Sequence, residues 1–251
     1  MPISLGIGTA VTRGGGLSWS PLSISGLQFW VDAADSATLY TDSALTTLAV
    51  ADGDVIGGWK DKSGNSRNAL QTDGTKKPLL KLAIQNGRNV VRMDGVNDFL
   101  AATSFLFSGD FTVFFVAKPT SSTLACLAGT QAAVLFGSYL GWVSGTDYRM
   151  QSLTGSLVLS PLAAPAINTC KISRFRREST TGYMHIDSSL YGSGAFSPAD
   201  AADFSVIGAR QSSTTAHFTG DFSEILYYGS SLLSGDIALV EAYLKTKWGT
   251  P

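Results

Sequence analysis

An all-β protein is what the sequence predicts: antiparallel strands in two sheets packed face to face, an extended N-terminal arm and one C-terminal helix. Three observations carry this. Glu occurs only three times among 251 residues (Glu178, Glu224, Glu241), whereas Ser and Thr together number 54, so strong helix formers are scarce. Short strand-like runs (GLQFWVD, DVIGGWKD, NVVRMDG, DFTVFFVAK, TCKISRFRR, GYMHID, FSVIGAR, DFSEILYYG) alternate with turns rich in Gly, Asn, Asp and Ser. A helical period is convincing in one place only, SGDIALVEAYLKTKWG.

Residues 1–21 read as an arm or linker, because Gly6, Gly8 and Gly14 to Gly16 surround a single charge, Arg13. Its apolar residues Ile3, Leu5, Ile7 and Val11 alternate with small or polar ones, as in a strand added to a partner's sheet edge. Gly14 to Gly16 would let the following domain swing outward. Residues 22–251 form the sandwich. Within it FTVFFVA is apolar on both faces and suits a central strand, whereas CKISRFR alternates and suits a strand with one wet face. The terminal helix has Ser234 as its expected N-cap and Asp236 in the first turn against the helix dipole. Ile237, Val240, Leu244 and Trp248 make one apolar stripe, and Gly249 supplies a left-handed C-cap. Such a helix is expected to lid the sandwich end.

Composition narrows the function. A net charge of -1 argues against a nucleic-acid binder, which needs a basic excess to neutralise phosphates. Pro119 to Thr146 has no charge, but Gly129, Gly137 and Gly141 break it into short strands, so no membrane insertion is expected. A region that poor in charge is either buried or meets a partner. Cys126 and Cys170 match no metal spacing and read as small buried residues. The N-terminus lacks a basic cluster followed by a long apolar run, so export by a secretory signal is not expected.

Taken in order, GLQFWVDAADSATL, GGWKDKSGNSRNALQ, NVVRMDGVNDFL, DFTVFFVAKPT, FSVIGAR, GDFSEILYY and YLKTKWG resemble the laminin-G-like branch of the concanavalin A-like lectin/glucanase superfamily, from about Gly26 to Gly249. The resemblance implies a jelly-roll β-sandwich of the kind found in bacterial surface proteins and in bacteriophage tail and capsid proteins. The Gly-rich start ending in TRGGG is similar to the virion-attachment starts of phage structural proteins.

Glycosidases on this sandwich resemble one another in an E-x-D-x-x-E strand, and three Glu spaced 46 and 17 residues apart cannot form it. Glu224 is expected to be a structural hydrogen-bonding carboxylate. His185 and His217 lie in strand-like segments without a nucleophile elbow, so no catalytic residue is assigned. Trp30, Trp59 and Trp248 are expected in the core. No cofactor is expected, but the resemblance allows calcium at a loop rim, for which Asp94, Asn97 and Asp98 are the candidates; the alternative is a turn fixed by Asx hydrogen bonds. Asp61, Ser63 and Asn65 have calcium-loop spacing but lack the twelfth-position Glu, and read as a polar turn. Sugar binding needs an exposed ring flanked by hydrogen-bonding side chains, and Tyr139, Trp142, Asp147, Tyr148 and Arg149 offer both.

The expected function is a non-enzymatic bacteriophage virion structural or attachment protein, assembled in the host cytoplasm. It would be a homo-oligomer, joined to other virion proteins through the arm and presenting the sandwich to a host-surface glycan or as decoration. The alternatives are a polysaccharide-degrading glycosidase using Asp residues and a bacterial surface adhesin domain.

Overall fold

The computed structural model describes residues 19–102, 106–121, 125–130, 139–144, 147–153, 157–159, 166–197, 199–210 and 216–251. In chain order the first strands are β1 (Leu27–Asp32), β2 (Leu39–Tyr40), β3 (Gly58–Trp59), β4 (Ala69–Leu70), β5 (Leu79–Gln85), β6 (Arg88–Asp94) and β7 (Leu100–Ala101). There follow β8 (Leu106–Phe107), β9 (Phe111–Pro119), β10 (Ala125–Gly129), β11 (Tyr139–Ser144), β12 (Asp147–Gln151) and β13 (Leu157–Leu159). The last are β14 (Lys171–Glu178), β15 (Thr181–Ile186), β16 (Ser189–Ala195), β17 (Ala202–Asp203), β18 (Val206–Ile207) and β19 (Thr219–Tyr228), before the helix α1 (Ser234–Trp248).

Two antiparallel sheets form a sandwich. The first runs β16-β15-β14-β9-β19-β6-β5, and β1 also pairs with β19. The second runs β13-β12-β11-β10-β18-β7-β4-β3-β2, and β17 pairs with β8 apart from both. Rings from β9, β14 and β19 fill the space between the sheets: Phe115 lies 6.2 Å from Phe175 and 5.7 Å from Tyr227. Phe222 and Tyr227 share this inner face although they lie five positions apart, an odd step that alternation would put on opposite faces. A bulge between Phe222 and Glu224 resets the alternation and turns Glu224 outward.

The predicted central strand is central. Phe111 to Ala117 of β9 are all buried, Phe111, Val113 and Phe115 facing the second sheet. Phe114, on the other face, meets Tyr228 edge-on at 6.3 Å under α1. The helix therefore lies across the outer face of the first sheet, which corrects the expectation of a lid at the sandwich end. Its stripe behaves as predicted, with Ile237, Val240, Leu244 and Trp248 buried, and Gly249 closes it in the left-handed region at φ 64°. The N-cap is Leu233 and makes no side-chain cap bond, so Ser234 is the first helical residue and not the cap.

The same placement corrects the wet face expected on β14. Arg174 points outward there but is buried in an ion pair with Glu241 at 2.9 Å. Three residues on, Arg177 is fully buried at the sandwich end, its guanidinium lying over the Phe111 and Phe196 rings. The packed chain also starts earlier than residue 22: Pro21 is buried, and Trp19 packs on Tyr243 with ring centres 5.3 Å apart. Cys126 and Cys170 are free and buried, as expected. No helix among the described residues is long and apolar enough to cross a membrane.

Candidate functional site

Of the five residues expected to form a sugar platform, the structure removes one. Tyr148 is fully buried, its ring 5.5 Å from Phe175 and 6.3 Å from Tyr191, because β12 turns this position into the core. Its ladder partner is Trp142, and Arg149, the next residue, is half-buried. The side chains of Tyr139, Trp142 and Asp147 lie outside the described residues, as do the arm residues Ile3, Leu5, Ile7, Val11 and Arg13.

The calcium candidates form a turn. Asp94 Oδ1 accepts the N–H groups of Val96, Asn97 and Asp98 at 2.7 to 3.4 Å, and Asp98 Oδ2 accepts the Asp94 N–H at 3.0 Å. Among the described residues no group of three or more His, Cys, Asp or Glu is placed to hold a metal ion. The Asx turn is therefore what the structure holds here. Asp98 is buried, and burial, with the Asp94 charge added, pushes its carboxyl up to about 6. Asp61 is likewise a structural carboxylate: it accepts the N–H groups of Trp30, Ser63 and Arg67, tying its turn to β1. His217 lies just before β19 and not within a strand.

A dense polar cluster joins β1, β19 and α1. Asp32 and Glu224 are partners in the β1–β19 ladder and project together under the helix. Glu224 Oε1 accepts the Trp30 indole N–H at 2.7 Å and the Tyr243 hydroxyl at 2.8 Å. Oε2 accepts the Trp248 indole N–H at 2.7 Å and pairs with Lys247 Nζ at 2.8 Å. Lys247 also pairs with Asp32, which pairs with Lys62, which pairs with Asp35. Three carboxylates thus share two ammonium groups. Burial raises the Glu224 carboxyl, the Asp32 charge raises it further, and Lys247 and Trp248 oppose the rise. Four donors occupy its two oxygens, which makes Glu224 the structural carboxylate expected of it.

Beside this cluster lies a groove of about 530 Å³ between α1 and the β5–β6 turn. Trp19, Arg88, Leu239, Ala242, Tyr243, Thr246 and Lys247 line it. Tyr243 and Lys247 come from successive helical turns, so the anchored helix sets the positions of both. Arg88 stands opposite, exposed, and donates Nε–H to the Lys247 carbonyl at 2.9 Å. Two rings, a guanidinium and the Thr246 hydroxyl thus converge on one open surface. Sequence reasoning missed these residues: Trp19 fell within the arm, and Tyr243 and Lys247 flank the apolar stripe. Only their four-residue spacing hinted at a shared surface.

No family model matches the sequence, and no curated protein matches it. Solved structures do. The binding domain of Paraclostridial Mosquitocidal Protein 1 superposes with a TM-score of 0.58 at 14% identity, over 90% of this chain and 55% of that one. The botulinum neurotoxin serotype D ligand binding domain, solved in complex with N-acetylneuraminic acid, gives 0.57 at 11% identity over 90% and 54%. Trypanosoma rangeli sialidase in complex with sialic acid gives 0.55 at 14% over 90% and 34%. The chain therefore spans about half of the toxin structures and a third of the sialidase. At such low identity the likeness is one of fold: this chain shares its β-sandwich with two toxin binding domains and with part of a sialidase.

Proposed function

We propose that the chain is a non-enzymatic, lectin-like β-sandwich that binds a carboxylate-bearing glycan of the sialic acid type in the groove beside α1. The observation that carries the reading is the groove itself, where the rings of Trp19 and Tyr243 sit beside Arg88 and Thr246. A ring face suits the C–H surface of a pyranose, a guanidinium suits its carboxylate, and the hydroxyl suits its polar rim. The fold shared with a domain solved around N-acetylneuraminic acid supports the same class of ligand. Saturation of Glu224 by four donors and pairing of Glu241 with Arg174 leave neither of these two carboxylates to act on a substrate.

At finer grain the chain is read as a laminin-G-like virion protein of a bacteriophage, homo-oligomeric and joined to other virion proteins by the arm from Met1 to about Leu17. The ordered motif resemblance and the Gly-rich start support this. A shallow groove gives weak affinity per copy, which multivalent display would raise.

The test is a glycan array probed with the full chain and with Trp19→Ala and Arg88→Ala. Retention on sialylated glycans, falling roughly tenfold in each variant, is expected. Failure to bind any acidic glycan, or retention unchanged in both variants, would overturn the assignment.

A further inference from the structure

A second hollow, of about 330 Å³, lies at the sandwich end where β1 begins and β19 finishes, lined by Gln28, Arg67, Phe107, Ser108, Gly109, Asp110 and Gly229. It is separate from the groove: Lys247 of the groove pairs with Asp32 at the far end of β1, roughly 13 Å along the strand from Gln28.

Both walls are held in place before any ligand arrives. On one side Arg67 donates through Nη1 to the Gln28 carbonyl at 3.1 Å and to Gln28 Oε1 at 2.8 Å, and its backbone N–H is anchored on Asp61 at 3.0 Å. On the other side the buried Arg177 guanidinium donates to the carbonyls of Phe107 and Gly109, and to those of Ser197 at 3.2 Å and Asp200 at 2.6 Å. Asp110 Oδ1 takes the Ser179 N–H at 2.8 Å, fixing the carboxylate at the lip. Phe107 turns into the core, so its ring offers no stacking face.

What faces the hollow is therefore hydrogen-bonding chemistry: an amide and a guanidinium on one wall, a hydroxyl and a carboxylate on the other. A hydroxyl group donates and accepts at once, and adjacent hydroxyls can bridge such a donor wall and acceptor wall. The volume lies at the low end of ligand pockets, suited to one small ring. We infer that this hollow is a second binding site, for a neutral hydroxyl-rich ligand such as the vicinal diol of an uncharged sugar ring.

The test is an amide-resonance titration of the full chain with glucose, galactose and mannose separately. Gly109→Phe and Asp110→Asn serve as site variants. A Cβ added at Gly109 meets nothing within 4 Å, so a bulky side chain can be introduced at this lining position without a backbone clash at its Cβ. Asn at 110 keeps an oxygen for the Ser179 N–H but loses the carboxylate charge. Expected are saturating shifts confined to Gln28, Ser108, Gly109 and Gly229 with at least one sugar, at millimolar concentration. These shifts should weaken about tenfold in both variants and stay unchanged in Arg88→Ala, which separates this site from the groove. Should Gly109→Phe fail to fold, Asp110→Asn decides alone. Absence of shifts at these amides with all three sugars, or shifts undiminished in the folded variants, would overturn the site.

Discussion

Trp248, in the last turn of α1, donates its indole N–H to Glu224 of β19 at 2.7 Å, with both residues essentially shut off from solvent. That bond pins the only α-helix among the described residues to the only sheet it covers. Glu224→Ala would leave two indole N–H groups, a tyrosine hydroxyl and an ammonium without their shared acceptor. A loss of about 3–5 kcal/mol in chemical denaturation is expected, as for breaking a buried pair. Glu224→Gln should lose less, because one carbonyl oxygen still accepts. Equal stability of Glu224→Ala and the parent would refute this account of how the helix is held.

Asp98 and His185 should pull the pH dependence of stability in opposite directions. The Asp98 carboxyl lies near 6, above its ordinary value, so its contribution is full below about 4 and is lost as pH rises through about 6. Asp98→Asn is expected to match the parent near pH 4 and to exceed it by about 1–2 kcal/mol at pH 7. Urea unfolding across this range checks it, and a constant difference at every pH would contradict it.

Burial, with Arg174 and Arg176 nearby, holds the His185 imidazole down near 4. Its contribution is present above about 6.5 and fades as pH falls through about 4. His185→Gln should therefore flatten the acid limb of the stability profile by about 1–2 kcal/mol. Between pH 4 and 6 the two residues partly cancel in the parent, so each single variant should expose the slope of the other. A profile for His185→Gln parallel to that of the parent would count against the half-buried neutral imidazole.

Arg177 is buried and held by four backbone carbonyls. Arg177→Met keeps much of the volume but leaves those oxygens without donors, and a cost of about 3 kcal/mol is expected. Loss should be accompanied by faster amide exchange at 108–110 and 199–200, the segments the guanidinium ties together. Unchanged exchange there would show that these segments do not depend on it.

Gly220 sits at φ 144°, and a Cβ there would collide with the Lys118 carbonyl oxygen. Gly220→Ala should cost about 2–3 kcal/mol, since the neighbour is backbone of the central strand and cannot swing aside. A thermal midpoint within 1–2 °C of the parent would refute the close approach.

Features that depend on local pattern were legible in the chain alone. Scarce Glu and abundant Thr, the two-sided apolar run of β9 and the stripe from Ile237 to Trp248 were enough to place strands, the central strand and the helix, because side-chain period follows backbone geometry. Glu224 was legible as a structural carboxylate through the ordered motif resemblance, and the Asp61 segment as a polar turn through its residue types. Where the helix lies followed from packing, since a stripe states that a face is buried and not against what. That single placement turned Arg174 from a wet position into a buried ion pair and brought Trp19, Arg88 and Tyr243 to one groove. It also took pairing of β12 into the second sheet to carry Tyr148 into the core, because alternation along one strand does not say which side faces the partner sheet. Long-range juxtaposition is fixed by packing between elements far apart in the chain, and no local pattern encodes it.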